Sequence, residues 1–134
     1  MRLKKAETEL IRLARVCRVS TADRAGKPHC VPVCPVFDGK RIYFGTAKAA
    51  KKVGDIRRNP NMALVFDEYS EAWSALRGVM IQGEAKLMEQ GPVFRKIRRL
   101  LYDKYPQYET GAPLDEGDSA IIEFTPKKSF SWGL

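Results

Sequence analysis

The chain has 134 residues, 44% apolar and 30% charged, with 24 Lys and Arg against 16 Asp and Glu. That length supports one domain with its own core, and the apolar content excludes a disordered chain. No run reaches the roughly 18 apolar residues of a membrane span. Glu7, Glu9, Arg12 and Arg15 break up the opening MRLKKAETELIRLARVC, which is therefore no signal peptide, and a cytoplasmic location without a membrane partner is expected.

Residues 3–15 predict a short amphipathic helix, with Leu3, Leu10, Leu13 and Ala14 near a 3.6-residue period. VCRVSTA reads as a strand and DRAGKP as a turn through Gly26 and Pro28. One long strand is expected from His29 to Phe37. Its prolines at 32 and 35 confine it to an edge or a bulge. Cys30 and Cys34 lie in this run. Four strand residues span about 13 Å, too far for two sulfurs to share a zinc, so both are expected as buried thiols. With three cysteines and one histidine in the whole chain, neither a disulfide framework nor a metal site is expected.

Asp38-Gly39-Lys40 predicts a tight reversal into RIYFG. TAKAAKKVGDIRRNP reads as a helix stopped by Asn59-Pro60. MALVF has the pattern of a central strand, and LRGVMIQGEAKLM that of a long strand bent at Gly83. PVFRKIRRLLYDKYP is the clearest helix, with Pro92 near its first position and Val93, Ile97, Leu100 and Leu101 as its apolar stripe. QYETGAPLDEGD is expected as a loop, SAIIEFTP as a strand and KKSFSWGL as an extended tail. Six or seven antiparallel strands with two or three helices predict a single mainly β domain over 1–134, closed or partly closed into a barrel. Strands follow strands without helices between them, which disfavours a doubly wound sheet.

The strand-to-helix junction FGTAKAAKKVGD carries the main functional signal. Thr46 ends the strand, Lys48 follows, and Lys51 and Lys52 open the helix. Free helix-start N–H groups, a hydroxyl and flexible cations suit a phosphate. A solvated lysine face accounts for the same residues. Nucleic acid is disfavoured, because no zinc-finger spacing, aromatic RNA-binding strand motif or long basic arm accompanies the arginines.

The ordered set resembles the pyridoxamine 5′-phosphate oxidase-like family, the FMN-binding split β-barrels. It comprises VCRVSTADRAGKPHCVPVCPVFDGKRIYFGT, then AKKVGDIRRNPNMALVF, LRGVMIQGEAKLM, a helix ending in DKYP, and the closing SFSWGL. The resemblance implies an antiparallel split barrel, mainly β with flanking helices. It implies a homodimer holding FMN at its interface, with a small-molecule substrate or electron donor. On the family pattern a Ser/Thr-Arg-Lys element grips the flavin phosphate. Here it falls on Ala50, Lys51 and Lys52, so a hydroxyl and a guanidinium fork are both missing, and Thr46 or Lys48 is left to compensate. The strand bearing His29, Val31 and Val33 resembles the one beside the isoalloxazine ring. Gly78 stands where the oxidases often have a flavin-contacting Gln, and Trp132 resembles an aromatic residue near the cofactor. The oxidases bind their substrate with an Arg-x-His element in a C-terminal extension, which SWGL does not supply, so the oxidase activity is not expected. Short members resemble flavin- or deazaflavin (F420)-dependent reductases.

Flavin chemistry resides in the ring, so scarce histidine is no obstacle. His29 reads as a satisfied strand histidine or a cofactor neighbour, and less readily as a proton donor. A flavin-dependent oxidoreductase of unknown substrate is the leading expectation. F420 in place of FMN is the alternative, followed by a non-catalytic flavin- or haem-binding protein with His29 as the candidate axial ligand.

Overall fold

The computed structural model describes residues 1–134. Seven antiparallel strands form one curled sheet with four α-helices around it. The elements are α1 (Lys5–Leu13), β1 (Cys17–Ala22), β2 (Pro28–Val33), β3 (Val36–Phe37), β4 (Ile42–Ala47), α2 (Lys51–Arg58), β5 (Asn61–Glu68), β6 (Arg77–Met88), α3 (Pro92–Lys104), α4 (Gln107–Gly111) and β7 (Ser119–Trp132). Strand order is β2-β1-β5-β6-β7-β4-β3, so β2 and β3 are the two edges. This is the split-barrel arrangement, in one domain.

The prolines explain where the sheet ends. The run from His29 to Phe37 is two strands rather than the single one expected, interrupted at Cys34-Pro35, and each half lies at an edge. An edge strand can direct proline's missing N–H away from the ladder. MALVF pairs on both sides, with β1 and β6, as its apolar alternation requires. The closing tail is continuous with SAIIEFTP as one 14-residue strand. Its register against β6 shifts between Gln82 and Gly83. A Cβ on Gly83 would sit 2.1 Å from the Thr125 carbonyl oxygen, so this bulge needs glycine.

The main core fills the curl: Ile11, Val19, Phe44, Leu64, Phe66, Ile81 and Phe124 are among its members. A smaller cluster lies on the other side of β4 and β7, where Tyr43 and Ile121 meet Phe94, Ile97 and Leu101 of α3. Both faces of these strands are therefore buried, which is why IYF and AIIEF read as nearly continuous apolar runs.

Several expectations need correction. In α1 the buried face is Glu7, Leu10 and Ile11, while Leu13 is 75% exposed. Two residues past Ile11, Leu13 falls roughly 200° around the helix, away from the sheet. In α3 the stripe runs through Phe94, Ile97 and Leu101, and Val93 is exposed. QYETG forms the short helix α4 instead of a loop, tied to the end of β2 by Tyr108. Only Cys17 is a buried thiol; Cys30 and Cys34 are exposed. Cys30 lies on the opposite face of β2 from the inward-facing Val31 and Val33, and Cys34 lies beyond its end. Burial, and then the nearby Cys34, push the Cys17 thiol up to about 12.

Candidate functional site

The site begins where β4 stops. Thr46 pairs with Ala120 near the end of the ladder, and the chain turns through Lys48–Ala50. The Lys48 amide donates to the Asp118 carbonyl at 2.9 Å, and the Ala50 amide to the Ala47 carbonyl at 3.1 Å. Ala50 is the N-cap of α2, with extended backbone and no capping side chain. The first intrahelical bonds run from the Val53 and Gly54 amides to the Ala50 carbonyl. The Lys51 and Lys52 amides precede them and receive no side-chain cap. They form the positive end of the helix. Alanine at Ala50 thus leaves free the donors that a Ser or Thr hydroxyl would have satisfied.

The three lysines at this junction are in different electrostatic states. Lys48 is 3.7 Å from Glu89, which also accepts from Arg57. Lys51 donates to Asp55 Oδ1 at 2.6 Å, and the Thr21 hydroxyl donates to Oδ2 of the same carboxylate at 3.0 Å. Asp55 is 3% exposed. The Lys51 hydrogen bond holds its carboxyl below the ordinary range, against the opposing effect of burial. Thr21 and the charges of Lys51 and His29 act in the same direction as that bond. Lys52 has no carboxylate partner; half-buried, it is lowered below the ordinary lysine range by desolvation. It is the junction's uncompensated cation.

His29 is held near this cluster by register, because it pairs directly with Thr21 across the β1–β2 ladder. Its side chain faces inward with those of Val31 and Val33. Val33 belongs to the main core and Val31 packs against it. Their side chains are thus occupied by packing, and what β2 offers a ligand is its unpaired backbone edge, reduced by the donors that Pro28 and Pro32 lack.

Gly78 and Trp132 lie elsewhere. They pair with each other across β6 and β7, and a Cβ on Gly78 would be 2.3 Å from Trp132 Cζ2. Glycine here is a seat for the indole. Trp132 lies twelve residues along β7 from Ala120, the partner of Thr46, at the opposite end of the strand. One chain therefore assembles Thr46, Lys48, Ala50, Lys51, Lys52 and His29 at one end of the barrel and leaves Gly78 and Trp132 apart. The outer sheet face around Trp132 carries no helix. Phe130, Met80 and Val65 form a cross-strand row there, and Phe130 is 63% exposed.

Asp55 and Thr21 are the members that sequence reasoning missed. The Lys51–Asp55 spacing of four was a visible signal for an ion pair on one helix face. Thr21 becomes a partner only through the packing of α2 against β1.

A profile of the pyridoxamine 5′-phosphate oxidase family matches residues 3–133. The chain belongs to this family. Its fold is shared with the haem storage protein HutZ of Vibrio cholerae (TM-score 0.81, 15% identity, 97% of this chain and 94% of that one). A conserved hypothetical protein of Mycobacterium tuberculosis matches similarly (TM-score 0.81, 19% identity, 98% and 86%). So does an F420 reductase (TM-score 0.77, 19% identity, 96% and 98%). At these identities the likeness is one of fold. No curated protein sequence matches the chain. Ala50 leaves the helix start uncapped, and Gly78 makes room for Trp132. No helix is long and apolar enough to cross a membrane.

Proposed function

We propose that the protein is a cytoplasmic flavin-binding oxidoreductase that holds the phosphate of FMN at the start of α2. The observation that carries this reading is Lys52, a half-buried ammonium without a carboxylate partner beside uncapped helix-start amides. An unpaired cation in partial burial is costly, and a phosphate dianion would relieve that cost while accepting from the free amides. Lys51 serves a different purpose: tied to Asp55, it brings a nearly neutralised ammonium with two remaining donors. Thr46 adds a hydroxyl at the same end of the barrel.

FMN would supply the electron-transfer chemistry through its ring. The chain's own residues grip, orient and screen it. The free edge of β2 offers backbone groups along the ring, with His29 at one end beside Thr21 and Asp55. The separation of Trp132 from α2 supports completion of the pocket by a second subunit. The bare face bearing Phe130, Met80 and Val65 would be buried in a C₂ homodimer, bringing the partner's Trp132 toward the site.

F420 would use the same anion grip, and the shared fold of an F420 reductase supports keeping it as the second reading. The shared fold of HutZ supports testing for haem. The absorption spectrum of the purified protein, with mass analysis of the released ligand, discriminates all three. FMN titration must show a marked preference over riboflavin, which lacks the phosphate; equal affinities would refute the α2 site.

A further inference from the structure

We propose a second anion site at the opposite end of β4, formed by the N-terminal segment, the β3–β4 turn and the bulge of β7. It would take a small multivalent anion carrying at least two phosphate or carboxylate groups. The cleft there has a volume of about 600 Å³ and is lined by Arg2, Lys40, Arg41 and Lys127, with the hydroxyls of Thr8 and Thr125. No carboxylate lines it. That volume is within the range of small-ligand pockets.

The nearby carboxylates are already engaged. Asp38 Oδ1 accepts from the Lys40 and Arg41 amides at 2.9 and 2.7 Å, and Oδ2 accepts from the Tyr43 hydroxyl at 3.1 Å. These amide bonds, acting against burial, hold its carboxyl below the ordinary range. Glu123 is 3.6 Å from Arg41, whose Nε also donates to Thr125. The side chains of Arg2, Lys40 and Lys127 have no ion-pair partner. Like charges gathered in a concavity focus a positive potential that a multivalent anion would neutralise.

Two of these cations stand on pre-formed backbone. Lys40 follows Gly39, which has φ of +100°, in a turn fixed by the Asp38 carboxylate. Lys127 is the extra residue of the β7 bulge: Gly83 pairs with Pro126 and Gln82 with Lys128, leaving Lys127 unpaired between them. Bulges re-aim side chains in this way. The cleft is separate from the α2 junction, since Arg41 precedes β4 and Thr46 lies near the strand's far end, about 17 Å away.

Calorimetric titration with tripolyphosphate and with orthophosphate, at low ionic strength, tests the site. Wild type should bind one tripolyphosphate per chain, more tightly than orthophosphate. Lys40→Ala/Lys127→Ala should weaken tripolyphosphate at least tenfold. The control Lys27→Ala/Lys96→Ala removes the same charge from the surface elsewhere and should lose no more than about twofold. Tripolyphosphate binding should survive Lys52→Ala, and any FMN preference should survive the cleft variant. A protein that binds no FMN but passes these tests loses the flavin reading and keeps this one. Absent tripolyphosphate binding, equal losses in the cleft and control variants, or a loss confined to Lys52→Ala would overturn it.

Discussion

Lys51 and Lys52 are adjacent in sequence and alike in chemistry, yet the structure predicts opposite consequences for replacing them. Lys52→Ala removes an unpaired, half-buried cation. A charge-assisted contact contributes about 1.5–3 kcal/mol, so FMN affinity should fall roughly 10- to 100-fold at about 1.4 kcal/mol per factor of ten. Because no protein group loses a partner, the apo-protein should lose little stability. Lys51→Ala removes one hydrogen bond from the buried Asp55 carboxylate. Leaving a buried acceptor short of a donor costs about 1–3 kcal/mol. Lys51 is more than half exposed, and solvent screening places the expected loss near the bottom of that range. FMN affinity should change less than in Lys52→Ala, because Asp55 already balances the Lys51 charge. Urea unfolding of both apo-variants, with FMN and riboflavin titrations of each, separates the two roles. Riboflavin affinity should be nearly unchanged in Lys52→Ala. If Lys51→Ala loses FMN preference and keeps its stability while Lys52→Ala does the reverse, the assignment of the free cation is wrong.

Four further outcomes follow from the same geometry. Because Asp55 is held below its unfolded value, its contribution to stability is present above about pH 4 and lost as pH falls through the folded value; acid unfolding should therefore be shallower in Asp55→Asn than in wild type. The depressed Lys52 ammonium loses its proton at lower pH than an ordinary lysine, so FMN preference over riboflavin should begin to decline on the alkaline side below the ordinary lysine range. Maleimide should label Cys30 and Cys34 rapidly in the native apo-protein and Cys17 only on unfolding; rapid labelling of Cys17 would contradict its burial. Gly78→Ala should displace Trp132 and cost about 1–3 kcal/mol by overpacking, read as a shift in tryptophan emission with a lower unfolding midpoint.

Most of the sheet was legible in the sequence because its signals are local. Alternation placed β1, β5 and β6, Asp38-Gly39 placed the β3–β4 turn, and Gly83 marked the bulge. The errors occur where tertiary packing decides. Leu13 continues the apolar pattern of α1 but points away from the sheet, and Glu7 occupies a buried position because its carboxylate accepts the Lys4 amide at 2.8 Å. No composition rule distinguishes Cys17 from Cys30 and Cys34; facing direction within β1 and β2 separates Cys17 from Cys30, and Cys34 lies past the end of β2. The helix α4 was unreadable because five residues starting after a proline carry no apolar period of their own. The fixed points are Tyr105, whose hydroxyl donates to the Pro35 carbonyl at 2.7 Å, and Tyr108, whose hydroxyl donates to the Cys34 carbonyl at 3.3 Å.

The candidate site divides along the same line. Its position at the end of β4 follows from residue order alone, since a strand-end threonine before a lysine-rich helix start is a local pattern. Its charge state does not. Asp55 is four residues from Lys51, Glu89 is far along the chain from Lys48, and nothing in the string shows which lysine goes unmatched. That depends on β1 bringing Thr21 to Asp55, which fixes the carboxylate and with it the Lys51 ammonium. Lys52 is left free because the helix turns it away from that pair into partial burial. The same reasoning governs Trp132. Sequence order sets it at the end of the chain, but its distance from α2 arises along β7, where Ala120 pairs with Thr46 at the α2 end and Trp132 lies twelve residues further on. On the proposed reading, a subunit with the phosphate grip on one side and the aromatic wall on the other would complete a ring pocket only against a copy of itself. A single substitution on the bare face tests that dependence: Phe130→Glu should give a folded monomer that retains the α2 junction but binds FMN at least tenfold more weakly. Light scattering and FMN titration at matched concentrations provide the comparison, and a monomer with undiminished affinity would show that one chain suffices.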